Sequence, residues 1–385
     1  MERQYAIRGT ASPSPDPARF DYIDSLRGLA IAGVITTHSL ILFPDLPWLV
    51  RQLGGLGSHG VHLFFVASAL TLMVSWSSRR DGALSFYTRR AFRIVPMFYL
   101  ATMLYLLLGS VLERPFWADG AIDFRAVLLT LLMINGWVPD AINSVVPGGW
   151  TISVEMTFYV IFPLLAVLIT TPLRAAIFVA LALVIAAAAN MSIPILYPGI
   201  DTSALKFFSY YWLPNSLPSF AIGVLAFSLL SRAPRGRWAA SCLLLCAGLT
   251  AAFVMLGPLP YSSSFAQPIA RGTMIAAAGM LLVLSFHRVP NGLFVNRIMS
   301  ALGRVSYSAY LIHWLVVEAL LRTVGAVHAG PRLSCLIWPC AVLMIVATTG
   351  MLASASYRYI ERPAIRAGSR FARQLPRRRI VAPSV

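Results

Sequence analysis

The sequence predicts an all-α fold, a polytopic membrane helix bundle of about ten transmembrane helices. Three observations carry that expectation. Of the 385 residues, 58% are hydrophobic and only 12% are charged, about half the charged share of a soluble domain. The mean hydropathy is +0.73. The apolar residues also come in long runs: 173–190 holds one charge, Arg174, and 334–356 holds none. Each run approaches the ~20 residues that carry a helix across ~30 Å of hydrocarbon at ~1.5 Å per residue.

Taken in order, the expected spans are 26–46, 60–77, 91–112, 148–169, 173–190, 208–230, 238–257, 268–287, 304–324 and 334–357. A further apolar stretch, 125–138, is short and bounded by Gly and Pro, which suits a re-entrant or interfacial segment as well as a span. Loop charge favours ten spans. The side that carries the N-terminus holds 24 of the 31 Lys and Arg residues, leaving Arg51, Arg114, Arg125, Lys206, Arg271, Arg322 and Arg332 for the other. An eleventh span would set the two halves of the chain in conflict. The positive-inside rule then puts both termini in the cytoplasm.

Residues 1–20 are polar and Pro-rich and read as a disordered N-terminal segment. Residues 21–363 form the membrane domain, and 364–385 a basic, solvated cytoplasmic tail that can lie on anionic lipid. No cleavable signal peptide is visible, so the first apolar segment is a permanent span.

The net charge is +17. In a soluble chain that would point to nucleic acid. Here no basic domain is large enough to hold a duplex, and basic loops that fix orientation account for the charge. The four cysteines, Cys242, Cys246, Cys335 and Cys340, all lie in apolar runs. They read as small buried hydrophobes rather than a disulfide framework. No repeat of fixed period appears, and no paired, broken spans, which weakens a transporter reading.

Ionisable groups held in lipid cost ~3 kcal/mol or more each at mid-depth and are functional candidates. Arg27 and His38 in the first span are eleven residues apart, close to three turns, so they share a face. His38 would lie ~16 Å deeper than Arg27, near mid-membrane. The plainer reading is a histidine bonded to a neighbouring helix. Arg89, Arg90 and Arg93 precede the third span. Singly, each suits a positive-inside anchor; together, with Arg90 and Arg93 at i, i+3, they can clamp phosphates. Glu155 lies one to two turns inside the fourth span, towards the outer side, with no obvious partner in its own helix. It is either an acceptor-orienting carboxylate or a packing partner for an arginine. Trp150 is a belt residue or a stacking ring. His313 falls near mid-depth of the ninth span. His59 and His62 share a face at the outer end of the second span, but two histidines do not make a zinc site, and no metal is expected.

Five motifs stand in order: Arg27-x10-His38; Arg89-Arg90-x-x-Arg93-Ile94-x-Pro96; Trp150-x-Ile152-x-x-Glu155-x-x-Phe158-Tyr159; Ser306-Tyr307-x-x-Tyr310-Leu311-x-His313; and the closing Tyr357-Arg358-Tyr359-Ile360-Glu361-Arg362-Pro363. Together, from about Phe20 to Pro363, they resemble acyltransferase family 3, the membrane enzymes that O-acetylate bacterial surface glycans. The resemblance implies transfer of an acyl group, usually acetyl from acetyl-CoA, to a sugar hydroxyl. It implies a bundle in the bacterial inner membrane, with the donor reaching it from the cytoplasm. By position, Arg27 and His38 become the essential pair, and Arg89, Arg90 and Arg93 the cluster near the donor. The chain departs from the family at 60–69. There members often read Gly-Val-Asp-Leu-Phe-Phe-Val-x-Ser-Gly, whereas this chain has His62 for the Asp and Ala69 for the final Gly. That departure bears on acceptor identity more than on reaction class.

The expected chemistry follows. Acyl-CoA is a co-substrate, not a bound cofactor; its phosphates meet the arginines and its pantetheine arm threads inward. His38 acts as general base on the acceptor hydroxyl or is itself acylated. Glu155 orients the carbohydrate acceptor, with Trp150 or Tyr159 stacking on a sugar ring, and His313 supports His38 or the donor. Thr36, Thr37 and Ser39 are the candidates for oxyanion donor. The rival reading is a transporter or flippase of glycan intermediates that uses intramembrane His and Glu for proton coupling.

Overall fold

A computed structural model of the protein describes residues 21–79, 82–111, 122–230, 240–243, 245–246, 266–288 and 292–375. Every regular element among them is helical. The larger α-helices are α1 (Asp21–Ser39), α2 (Trp48–Gly55), α3 (Gly60–Arg79), α4 (Gly82–Val111), α5 (Phe124–Leu131), α6 (Trp150–Leu168) and α7 (Pro172–Leu196). They continue as α8 (Thr202–Tyr211), α9 (Leu213–Leu229), α10 (Ala266–Arg288), α11 (Arg297–Arg304), α12 (Ser306–Thr323), α13 (Gly330–Ser356) and α14 (Arg362–Gln374).

Eight helical segments among the described residues are long and apolar enough to cross a membrane, and each coincides with an expected span. Of the other two expected spans, 238–257 lies largely outside the described residues. The second is α12, a full-length helix that carries Glu318 and Arg322, paired at 2.5 Å. The bundle's outer face fits lipid. On α13 the exposed apolar side chains run from Leu333 to Leu352, a rise of ~28 Å that matches the ~30 Å hydrocarbon core. The stretch 125–138 does not span. Asp123 caps α5 through the Ala126 N–H at 2.7 Å, and the helix ends after eight residues, only ~12 Å of rise.

Three boundaries move functional residues. The helix α4 begins at Gly82, nine positions before the expected span. Arg89, Arg90 and Arg93 are therefore inside a helix, not ahead of one. The helix α1 stops at Ser39 and tightens into a 3-10 turn, Leu40–Leu42, because Pro44 and Pro47 follow and bias the chain away from helix. His38 thus lies in the last turn of α1, beside Ser39, whose hydroxyl accepts from Trp338 Nε1 at 2.9 Å. The basic segment after Pro363 is helical through Gln374, and it docks along the first turns of α4: Ser85 Oγ donates to the Ala372 carbonyl at 3.1 Å, and Phe371 stacks on Phe92 at 5.6 Å. Its arginines, Arg362, Arg366, Arg370 and Arg373, face outward. The cysteines do not follow their expectation as a set. None of the four is in a disulfide; Cys246 is buried and Cys340 is exposed on α13, where lipid tolerates a thiol as it does an alkyl group.

The bundle is drawn together by small residues and a few polar pairs, as membrane helices are. Asn190 and Asn215 exchange side-chain bonds of 2.9 and 3.2 Å between α7 and α9. Asp201, at the bundle surface, caps α8; the Ala204 and Ser203 N–H groups hold its carboxyl below the ordinary carboxylate range. The tightest crossing joins α1 to α11. A Cβ on Gly28 would sit 2.1 Å from the Met299 carbonyl oxygen, and one on Gly303 would sit 1.7 Å from that of Asp24. Backbone cannot retreat as a side-chain tip can. Gly303→Val is therefore expected to cost about 3 kcal/mol, the upper end of ordinary overpacking. A melting midpoint of the purified protein in detergent equal to wild type would contradict this packing.

Candidate active site

The end of the bundle at which α1 begins, here called the proximal end, gathers the starts of α1, α4 and α12 around a chamber of about 80 Å³. Its charged walls are Arg27, Arg90, Arg93 and Glu155; its other polar lining includes Ser68, Thr151, Tyr159, Ser306, Tyr307 and Tyr310. Phe64, Phe65, Val61, Ile94 and Ile152 complete it. Three guanidiniums and one carboxylate thus share a small, half-apolar space.

Each charge is held by a specific element. Arg27, in the second turn of α1, donates to Thr71 Oγ1 at 2.9 Å and to the Ala67 carbonyl at 3.4 Å, both on α3. Asp24, one turn earlier, lies 3.5 Å away. Arg90 projects from α4 over the ring of Tyr159 at 5.4 Å and of Phe86 at 5.8 Å, within cation–π range. Glu155 Oε1 accepts from Ser68 Oγ and from Tyr159 OH, each at 2.5 Å. Tyr159 follows Glu155 by four residues, so the carboxylate does have a partner in its own helix. Glu155 also lies with the arginine cluster in one chamber, not apart from it on the outer side. The walls are tied by tyrosines: Tyr307 OH donates to the Ile94 carbonyl at 2.8 Å and Tyr310 OH to that of Gly148 at 3.3 Å. Gly148 has φ +76°, a left-handed turn natural for glycine, which bends the chain just before α6.

Tyr310 connects the chamber to a second group. Its hydroxyl end lines the chamber, while its backbone carbonyl meets His313 Nδ1 at 2.6 Å. His313 Nε2 in turn lies 2.8 Å from His38 Nδ1. A carbonyl only accepts, so His313 Nδ1 carries its proton. With both rings neutral, His313 Nε2 is then the acceptor and His38 Nδ1–H the donor. That fixes the His38 tautomer and leaves the Nε2 lone pair as its basic site. Trp314 covers one face of His38 at 3.9 Å between ring centroids.

Not every expected residue gathers here. Arg89 is off the chamber, because neighbours on an α-helix diverge by ~100° while positions 90 and 93 share a face. His38 and His313 lie behind Tyr310 rather than on the chamber wall. His313 is fully buried with its ring against His38, so it supports His38 rather than presenting a surface to substrate. Trp150 is buried among Phe65, Tyr210 and Tyr211, and has no free face for a sugar. His59 and His62 form a separate buried pair, 6.0 Å apart, with His62 Nδ1 2.9 Å from Ser219 Oγ. Conversely, Ser68, Tyr307 and Tyr310 were not singled out from the sequence as lining residues, although all three sit inside the quoted motifs.

A family model described as an acyltransferase domain matches residues 20–355, most of the chain. The protein belongs to that family and is an acyltransferase. Among similar proteins is the acyltransferase MdmB of Streptomyces mycarofaciens, 26% identical over 81% of this chain and 82% of its own length. Another is the exopolysaccharide production protein ExoZ of Rhizobium meliloti (strain 1021), 25% identical over 81% and 91%. Nodulation protein 10 of Rhizobium leguminosarum bv. viciae is 25% identical over 80% and 82%. No solved structure matches the chain.

Proposed function

We propose that the protein moves an acyl group, acetyl in the simplest case, from acyl-CoA to a carbohydrate hydroxyl within the bacterial inner membrane. The observation that carries this reading is the pairing of a three-arginine chamber with a tautomer-fixed His38 behind it. Coenzyme A is polyanionic, and guanidiniums recognise phosphates through paired hydrogen bonds. Arg27, Arg90 and Arg93 hold the donor at the proximal end, which the loop charges assign to the cytoplasm. The donor's thioester arm extends past Tyr310 towards His38. The name of ExoZ ties a similar protein to exopolysaccharide production, which supports a carbohydrate acceptor.

In this reading His38 Nε2 removes the proton of the acceptor hydroxyl as its oxygen attacks the thioester carbonyl. The tetrahedral intermediate collapses, the C–S bond breaks, and the thiolate leaves with the proton from the imidazolium. The acceptor gains an ester and coenzyme A leaves as a thiol. Trp314 and His313 keep the imidazole oriented through the cycle.

The test is release of free thiol from acyl-CoA by the purified protein, dependent on added acceptor. Glycan translocation without thiol release would instead favour the flippase reading. Arg90→Ala should raise the KM for acyl-CoA about tenfold or more, as loss of one charge-assisted contact does, with the acceptor KM unchanged. An equal rise in both constants would remove Arg90 from the donor site.

A further inference from the structure

The motif Tyr357–Pro363 at the end of the membrane domain plays no part in the scheme above, yet it carries a carboxylate that is only 3% exposed, Glu361. The helix α13 does not pass smoothly into α14. Residues Tyr357–Glu361 form a π-helical turn, a feature that costs hydrogen-bond geometry and recurs at functional sites. Its effect here is rotational. The buried side of α13 runs through Ile345, Thr349 and Ala353. In an unbroken α-helix, a residue eight places after Ala353 would be turned ~80° off that side. The wider turn absorbs the extra residue and returns Glu361 to the interior.

What Glu361 meets there is fixed by four contacts. The Ser308 hydroxyl, fully buried on α12, donates to its carboxylate, and Ser308 Oγ lies 3.0 Å from Ser356 Oγ. Ser356 touches Met97 Sδ at 2.9 Å, and Gly368 packs on Phe92. Glu361 falls between those two contacts, so its opposite positions on α4 fall between Phe92 and Met97. Arg93 is the cation in that interval, and it lines the chamber. The same register follows from α12: Tyr307, next to Ser308, donates to the carbonyl of Ile94, the residue after Arg93, at 2.8 Å.

We propose that Glu361 is a positioning residue: its carboxylate, turned inward by the π-helix, is the counter-charge that keeps the Arg93 guanidinium set in the chamber wall. Arg27 has Asp24 for this purpose and Arg90 has the Tyr159 and Phe86 rings; Glu361 gives Arg93 its own partner. The inference rests on the donor reading, since a fixed Arg93 matters by meeting the donor's phosphates.

The experiment is a double-mutant cycle of Glu361→Gln and Arg93→Ala on acyl-CoA turnover by the full chain. Glutamine keeps an acceptor for Ser308 and removes only the charge. Glu361→Gln is expected to raise the KM for acyl-CoA about tenfold, leave kcat within about twofold, and add nothing on the Arg93→Ala background. A purely structural role predicts the opposite: Glu361→Gln like wild type, and Glu361→Ala with a lower melting midpoint and unchanged KM. That result, or effects that multiply across the cycle, would overturn the proposal. If the wild-type protein consumes no acyl-CoA, the donor reading fails, and the pairing is judged on the melting midpoints of the same four proteins. Non-additive shifts sustain the pair and additive shifts dismiss it.

Discussion

Acyl transfer by the His38→Ala protein is expected to fall by about 10²–10⁴-fold, the usual contribution of a positioned general base. The protein should still insert and fold, with a melting midpoint only a few degrees below wild type. His38 is held by one hydrogen bond to His313 and one ring contact with Trp314, and alanine removes both without burying a new polar group on α1. Its former partner, His313 Nε2, loses one neutral bond, a cost of about 1–3 kcal/mol at most. His313→Ala should give a smaller loss than His38→Ala, because it frees the tautomer without removing the base. Rates measured as thiol release with acceptor present decide the matter. A His38→Ala enzyme with normal turnover would exclude His38 as base and as acylated nucleophile alike.

The second large effect is expected at Glu155. Its carboxylate is the negative charge inside a chamber that also holds Arg27, Arg90 and Arg93, and it accepts from both Ser68 and Tyr159. Removing one member of a fully buried charge cluster costs ~3–5 kcal/mol, because the remaining charges stay desolvated. Glu155 is partly open to the chamber, so about 2–3 kcal/mol is the fitting figure for Glu155→Ala. Its melting midpoint should fall, and it should lose activity as the arginines splay. Glu155→Gln retains an oxygen for Ser68 and Tyr159 and should recover part of the stability, but not the charge balance. Equal midpoints for wild type and Glu155→Ala would show that the carboxylate does not organise the cluster.

Much of this architecture was legible before any coordinates, and the reason is lipid. Hydrocarbon demands long apolar helices, so eight expected spans coincide with helices. The pairing of Arg90 with Arg93 follows from helical periodicity, and the same periodicity turns Arg89 off the chamber, against the expectation that all three meet the donor. What the sequence misjudged were the quantities that packing sets. The end of α1 depends on Pro44 and Pro47, and it leaves His38 in the last turn of a helix that the hydropathy extends to 46. Glu155 is expected towards the outer side, one to two turns inside the fourth span, yet it accepts from Ser68 and shares the chamber with three arginines. Trp150 is buried within the bundle. Trp150 itself looked like a stacking ring because an aromatic at a span's end usually faces the interface; neighbouring rings already cover it. Glu361 could not be read inward at all, since a π-turn leaves no periodic signature.

The crossing of α1 and α11 carries a consequence for how this chain can vary over generations. Gly28 and Gly303 are nearly three hundred positions apart, yet each seats directly on the other helix's main chain. A bulkier residue at 303 would shift the first turns of α1, and Arg27 would move with them. Mutational tolerance at a position remote from any substrate is thereby tied to where one guanidinium stands, and the two sites must drift together or not at all.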